Sequence, residues 1–139
     1  MRPWVLVPAV VLLVAGLGGC GDGVSGGDCD PEMPTVEPAA VVVGEQLTIA
    51  STGFSCDARY DDGKRYGLEL SSVGREDPVD LGDVDVAPDG SFRVTVTVPV
   101  DASPGESFVS VSGSPFDEPC DDTASCATHG QDVTVLPAP

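Results

Sequence analysis

Asparagine is absent from this 139-residue chain, and lysine, isoleucine, histidine and tryptophan each occur once. Without asparagine there is no acceptor for N-linked glycosylation. Six basic residues stand against 23 acidic ones, a formal net charge of −17. A surface so poor in lysine and arginine cannot grip a phosphate backbone or an anionic headgroup layer, so nucleic acid is excluded as a partner. The single histidine, His129, belongs to no catalytic constellation, and one histidine beside thiols does not make a zinc site. No serine follows the nucleophile-elbow pattern and no glycine loop has phosphate-binding spacing. The sequence therefore leads us to expect no catalytic residues, no metal, no cofactor and no enzymatic activity. Aromatics are scarce too, at 5%, which allows only a thin core. No stretch after the first twenty residues holds an amphipathic helical stripe.

What is present begins with an apolar run. Trp4 to Gly19 is apolar or small throughout, after Met1-Arg2-Pro3. A bilayer-spanning helix needs about 20 apolar residues; this run is shorter, is interrupted by Pro8, Gly16, Gly18 and Gly19, and is followed by no basic cluster. It reads as a secretory signal peptide, with an uncleaved short anchor as the alternative. Its end, Leu17-Gly18-Gly19-Cys20, resembles the lipobox of bacterial lipoproteins. That resemblance implies cleavage before Cys20 and a diacylglyceryl group on its thiol, so that the chain is held at the cell membrane, on the extracytoplasmic face. Two acyl chains give firm anchorage where one does not, at about 0.8 kcal/mol per buried methylene. The expected organisation is a signal peptide over 1–19, a lipidated N-terminus and flexible tether over 20–33, and one domain over 34–139. Loss of Arg2 with the signal takes the formal charge from −17 to −18.

From about Pro34 the pattern is all-β. "SFRVTVTV" (91–98) places Phe92, Val94, Val96 and Val98 on one face and Arg93, Thr95 and Thr97 on the other. This period-two alternation marks a half-buried strand. Leu47 and Ile49, Leu68 and Leu70, and Val133 and Val135 repeat it. Seven strands are expected, over 35–43, 46–52, 66–73, 79–86, 91–98, 106–112 and 131–136. Val79 and Leu81 are out of phase with Val84 and Val86, which predicts a bulge near Gly82. Ala87-Pro88-Asp89-Gly90 carries turn chemistry and predicts a hairpin between the strands on either side of it. Seven short strands without helices predict a seven-stranded antiparallel sandwich. The segments "VVVGEQLTIASTGF" and "DGSFRVTVTVPVDASPGESFVSVSG" resemble the immunoglobulin-like modules of secreted proteins from high-GC Gram-positive bacteria, over about residues 36–136. The resemblance implies an immunoglobulin-like fold.

Besides Cys20 there are Cys29, Cys56, Cys120 and Cys126. An even number in a small exported domain predicts two disulfides. Placing Cys29 before the first strand and Cys56 after the second brings both to one end of the sandwich. Cys120 and Cys126 share the loop before the last strand. Cys29–Cys56 with Cys120–Cys126 is the favoured pairing, and the crossed pairings stay open. Loop residues at that end form the candidate binding surface: Tyr60, Asp61 and Asp62 from one loop, Phe116, Asp117, Asp121 and Asp122 from another. These carboxylates read as solvated turn residues rather than as a calcium site. The expected function is a lipid-anchored binding module offering disulfide-pinned acidic loops to an extracytoplasmic protein, glycan or cell-wall component. "DEPCDDTASCATHGQDVTV" also resembles the disulfide-closed loop of the neocarzinostatin-like chromophore-binding apoproteins, which implies a small-molecule carrier as the alternative.

Overall fold

Alternating apolar side chains bury one face of each long strand, and two sheets result from stacking those faces. The computed structural model describes residues 31–56, 59–117 and 128–139. The expectations for the signal peptide, Cys20, Cys29, Cys120, Asp121, Asp122 and Cys126 lie outside these residues. The described chain is all-β: β1 (Thr35–Glu37), β2 (Ala40–Val42), β3 (Gln46–Ser51), β4 (Arg65–Ser72), β5 (Val79–Asp85), β6 (Phe92–Thr97), β7 (Gly105–Ser112) and β8 (Gly130–Leu136), with one 3-10 turn at Pro115–Asp117. A three-stranded sheet runs β1-β3-β6, and a five-stranded sheet runs β2-β8-β7-β4-β5. Leu47, Ile49, Leu68, Leu70, Val109 and Val135 fill the space between them.

The sequence predicts seven strands, and the described residues form eight. The expected strand over 35–43 is two strands in different sheets: β1 pairs antiparallel with β3, while β2 pairs parallel with β8. Pro38 accounts for the break, because it has no N–H to donate and fixes its own φ, so the ladder stops at Glu37. The chain then crosses from one sheet to the other over Pro38 and Ala39. The sandwich is thus not wholly antiparallel, which corrects the expectation from sequence.

The predicted bulge is present. The β4–β5 register shifts between Leu68 and Glu69, where Leu68 faces Gly82 and Glu69 faces Asp80. Leu81 is the extra residue, Gly82 has φ +95°, and its N–H donates to Asp80 Oδ1 at 2.7 Å. The shift brings Val84 and Val86 to the inner face.

The predicted hairpin is absent. The turn at 87–90 closes as expected, Gly90 N–H donating to the Ala87 carbonyl at 2.8 Å. However, β5 pairs with β4 and β6 pairs with β3, so the turn joins two sheets instead of two neighbours in one. The end of β3 holds it there. Phe54 N–H donates to the Asp89 carbonyl at 2.8 Å, and Tyr60 N–H donates to the Pro88 carbonyl at 2.8 Å. Gly53, at φ +88°, lies so close that a Cβ would overlap the Asp89 carbonyl. Gly90 faces the Phe54 ring, which would stand 2.8 Å from any added Cβ.

Gly53→Ala meets both obstacles at once, a forbidden φ and a backbone clash. It is expected to cost on the order of 2–3 kcal/mol. A lowered urea midpoint with an unchanged m-value checks this.

Candidate functional site

One end of the sandwich gathers the chain that leads into β1, the β3–β4 and β7–β8 connections, and the 87–90 turn. The pole they make is filled with rings. Phe54 lies edge-on to Tyr60 with centroids 5.0 Å apart, Tyr60 to Tyr66 at 6.0 Å, and Tyr66 to Phe92 at 5.6 Å. From Tyr66 the series continues to His129 at 5.9 Å, whose other neighbour is Phe116 at 5.1 Å. The edge-on contacts set the positive edge of one ring on the negative face of the next. Lys64, the one lysine, places Nζ 5.1 Å from the Tyr60 centroid and 5.8 Å from that of Tyr66.

Two polar groups lie inside this stack. The hydroxyls of Tyr60 and Tyr66 are 2.7 Å apart and hydrogen-bonded. Burial, followed by that bond, holds the Tyr66 phenol far above its ordinary value, so it stays protonated. His129 is fully buried, with Nε2 3.3 Å from the Glu32 carbonyl, to which it donates in the tautomer that satisfies this oxygen. Its Nδ1 has no hydrogen-bond partner among the described residues. Burial holds the imidazole below its ordinary value, against the opposing influence of the Glu32 carbonyl and the Asp117 carboxylate. Glu32 is itself fixed, since its N–H donates to the Gly53 carbonyl at 2.8 Å and its own carbonyl accepts from Ser51 Oγ at 2.8 Å. Pro31 and Glu32 fall in the tether by their sequence, yet they are tied to the end of β3.

Of the candidate binding residues, the described ones do converge on this pole. Asp61, Asp62 and Asp117 are exposed. Asp117 Oδ2 accepts from the Gly113 N–H, which closes the turn after β7. Tyr60 and Phe116 are half-buried and engaged, Tyr60 with Tyr66 and Phe116 with His129. Among the described residues no three His, Cys, Asp or Glu side chains form a group able to hold a metal ion. Sequence reasoning places His129 on a loop, whereas it is the buried centre of the pole. Alternation gives no signal for this, because Gln131, which stands between His129 and Val133 at the same parity, is polar and exposed.

No protein-family model matches the chain, and no curated protein does. Solved structures do match. A variant form of the superoxide reductase (neelaredoxin) from Ignicoccus hospitalis is 14% identical over 78% of this chain and 82% of its own, with a TM-score of 0.44. The superoxide reductase (neelaredoxin) from Ignicoccus hospitalis is 16% identical over 77% and 83%, with a TM-score of 0.42. Both are enzymes, and on that finding the expectation of a chain without enzymatic activity is withdrawn. Similarity at this level assigns neither their fold nor their reaction to this chain.

The buried imidazole makes stability depend on pH. An unfolded histidine titrates near about 6.5, and the native ring titrates lower. The unfolded chain therefore binds the proton more readily, and stability present above the unfolded value is lost as pH falls through it. Thermal unfolding between about pH 7.5 and 5 should show the wild type losing stability relative to His129→Phe. Parallel curves would show that the ring does not titrate in this way.

Proposed function

We propose that this chain is a lipid-anchored, extracytoplasmic binding module of immunoglobulin-like architecture, held by a diacylglyceryl group on Cys20. It meets a protein, glycan or cell-wall partner through the ring-filled pole. The observation that carries this reading is the convergence at that pole of exposed Asp61, Asp62 and Asp117 with Lys64, on a base fixed by stacked rings. A rigid base under polar loops is how sandwich domains present recognition surfaces. The crossing of the first strand from one sheet to the other supports the immunoglobulin-like reading. The carrier alternative lacks such support, because Phe54, Tyr60 and Tyr66, which would line a cleft, pack on one another.

The chain enters the fold at this same pole. Ten residues separate Cys20 from Pro31, which for a flexible tether is a reach of roughly 17 Å. The partner is therefore met close to the bilayer, and the acidic surface keeps the domain off anionic headgroups.

The proposed module is braced by a Cys29–Cys56 disulfide. Thr35 faces Ala50, Val36 faces Ile49, Glu37 faces Thr48, and the isolated bridge Pro31–Phe54 keeps that antiparallel register. In the proposal the antiparallel pairing continues two residues further, with Cys29 opposite Cys56. Opposed residues of an antiparallel pair have Cα atoms about 4.5–5.5 Å apart, which suits a disulfide.

Intact mass of the protein extracted in detergent from its own host is expected to show a chain that begins at Cys20 and carries acyl groups. Cys20→Ser should move it from the membrane pellet to the soluble fraction; an unmodified mass would remove the anchor from the proposal. Non-reducing peptide maps should join Cys29 to Cys56. A photo-crosslinker at position 62 on intact cells should give an adduct that one at Glu45, at the opposite end, does not. Equal labelling from both positions would count against the pole.

A further inference from the structure

One aromatic ring stands on the outer face of the five-stranded sheet. Leu68, Leu70, Val109, Val111, Val133 and Val135 point into the core, so alternation turns the residues between them outward. Phe108 is one of these, on the middle strand β7, opposite Ser71 on β4 and Asp132 on β8. It is half-buried. Its ring leans over Gly130, two residues along β8, where any Cβ would overlap the ring at Cε1 and Cζ. Leaning that way clears the space on the side of Glu106 and Thr134. An open depression of about 700 Å³ lies there, lined by Ser71, Val73, Glu106, Phe108, Asp132 and Thr134.

Three exposed carboxylates surround this ring. Asp132 is directly opposite, Glu106 is two residues away on the same strand, and Glu69 lies diagonally across on β4, opposite Ser110. Opposed side chains on one face start about 4.5–5.5 Å apart and diagonal ones about 7–8 Å, within reach of aromatic and long side chains. Asp80, Asp83 and Asp85 extend the same face along β5. Arg65 is the one basic residue in the five strands. It is engaged by Asp83 at 3.4 Å and Asp85 at 3.2 Å, and Glu69, Glu106 and Asp132 form no ion pair among the described residues. The outer face of the three-stranded sheet is different. There Thr35, Gln46, Thr48, Thr95 and Thr97 stand with one acid, Glu37, and one base, Arg93. Carboxylates spread only for solvation have no reason to favour one sheet in this way.

Charge and shape together select the occupant. The face of an aromatic ring attracts a cation, and carboxylates beside it add to that attraction. A guanidinium suits the pair better than an ammonium, because it is planar, less strongly hydrated, stacks on rings and meets a carboxylate with two parallel N–H bonds. Val73, 81% exposed at the rim, offers an apolar wall to the methylene stem of such a side chain. A second copy of this chain would bring the same carboxylates to the same place, and like charge opposes it. We infer that the outer face of the five-stranded sheet is a docking surface for an arginine-bearing segment of a partner protein. The arginine stem lies in the depression along Val73, and its guanidinium sits between the Phe108 ring and the carboxylates of Glu106 and Asp132. Neither the lipid anchor nor the loop pole is needed for this contact.

The test titrates the intact, nitrogen-15-labelled protein with three blocked tripeptides, of arginine, of lysine and of citrulline, the uncharged shape-mimic of arginine. Triarginine should shift the amides of Ser71, Glu106, Phe108 and Asp132 saturably, with an affinity about fivefold above that of trilysine. Tricitrulline should give no saturable shift. Phe108→Leu should bring the arginine-to-lysine ratio down to about one, because it removes the ring and leaves the carboxylates. Glu106→Gln, at an exposed position, should weaken both charged peptides about threefold without touching the core, and it guards against a folding defect in the leucine variant. Equal affinity for triarginine and trilysine in the wild type, binding of tricitrulline, shifts centred on Asp61 and Asp62 instead, or the same four amides shifting with protein concentration alone would each overturn the inference.

Discussion

The contact on which the rest of the structure rests is the closure of Gly53 and Phe54 onto the Pro88–Gly90 turn. Two main-chain bonds and two glycines without side chains hold the end of β3 against a turn that belongs to both sheets. Any Cβ at Gly53 would drive the segments apart, so the approach is available only to glycine. Through it the small sheet is joined to the large one at the end that holds the rings.

That closure also explains where the rings are. The chain has four phenylalanines and two tyrosines, and five of these six side chains belong to the stack that begins at Phe54 and ends at Phe116. Phe108 is the exception. The middle of the sandwich is made of aliphatic residues, while the aromatic surface goes to fixing loops. Such an allocation suits a domain whose loops must keep their shape without a helix or a large core behind them. It also sets buried hydrogen-bonding groups at the centre of the pole, of which the Tyr66 hydroxyl is met by Tyr60 and His129 Nε2 by the Glu32 carbonyl, while His129 Nδ1 meets none of the described residues.

Much of the fold was legible because period-two alternation is a strong local signal. Leu47, Ile49, Leu68, Leu70, Val133 and Val135 all face inward as their spacing requires. The bulge was legible for a related reason, since the phase error between Leu81 and Val84 has no other regular remedy. The pairing of strands was less so. Ala87–Gly90 has the chemistry of a tight turn whether its flanking strands share a sheet or not, and turn residues carry no information on that point. Likewise Pro38 interrupts an apolar run that alternation alone reads through. At the pole, the exposed carboxylates stand where their loops were expected to meet. The burial of His129, and the consumption of the Tyr60 hydroxyl by Tyr66, depend on contacts between residues distant in sequence, and no turn or charge pattern announces them.

The division of the first strand has a mechanical meaning. Force applied to the chain ahead of Pro31 arrives at the end of β1 and acts along its axis. It loads the hydrogen bonds to β3 side by side instead of opening them one at a time. Beyond Glu37 the same pull passes through Pro38 into β2, whose bonds go to β8 in the other sheet. A tug on the N-terminal side is therefore shared between both layers, and neither can be peeled away without the other yielding in shear.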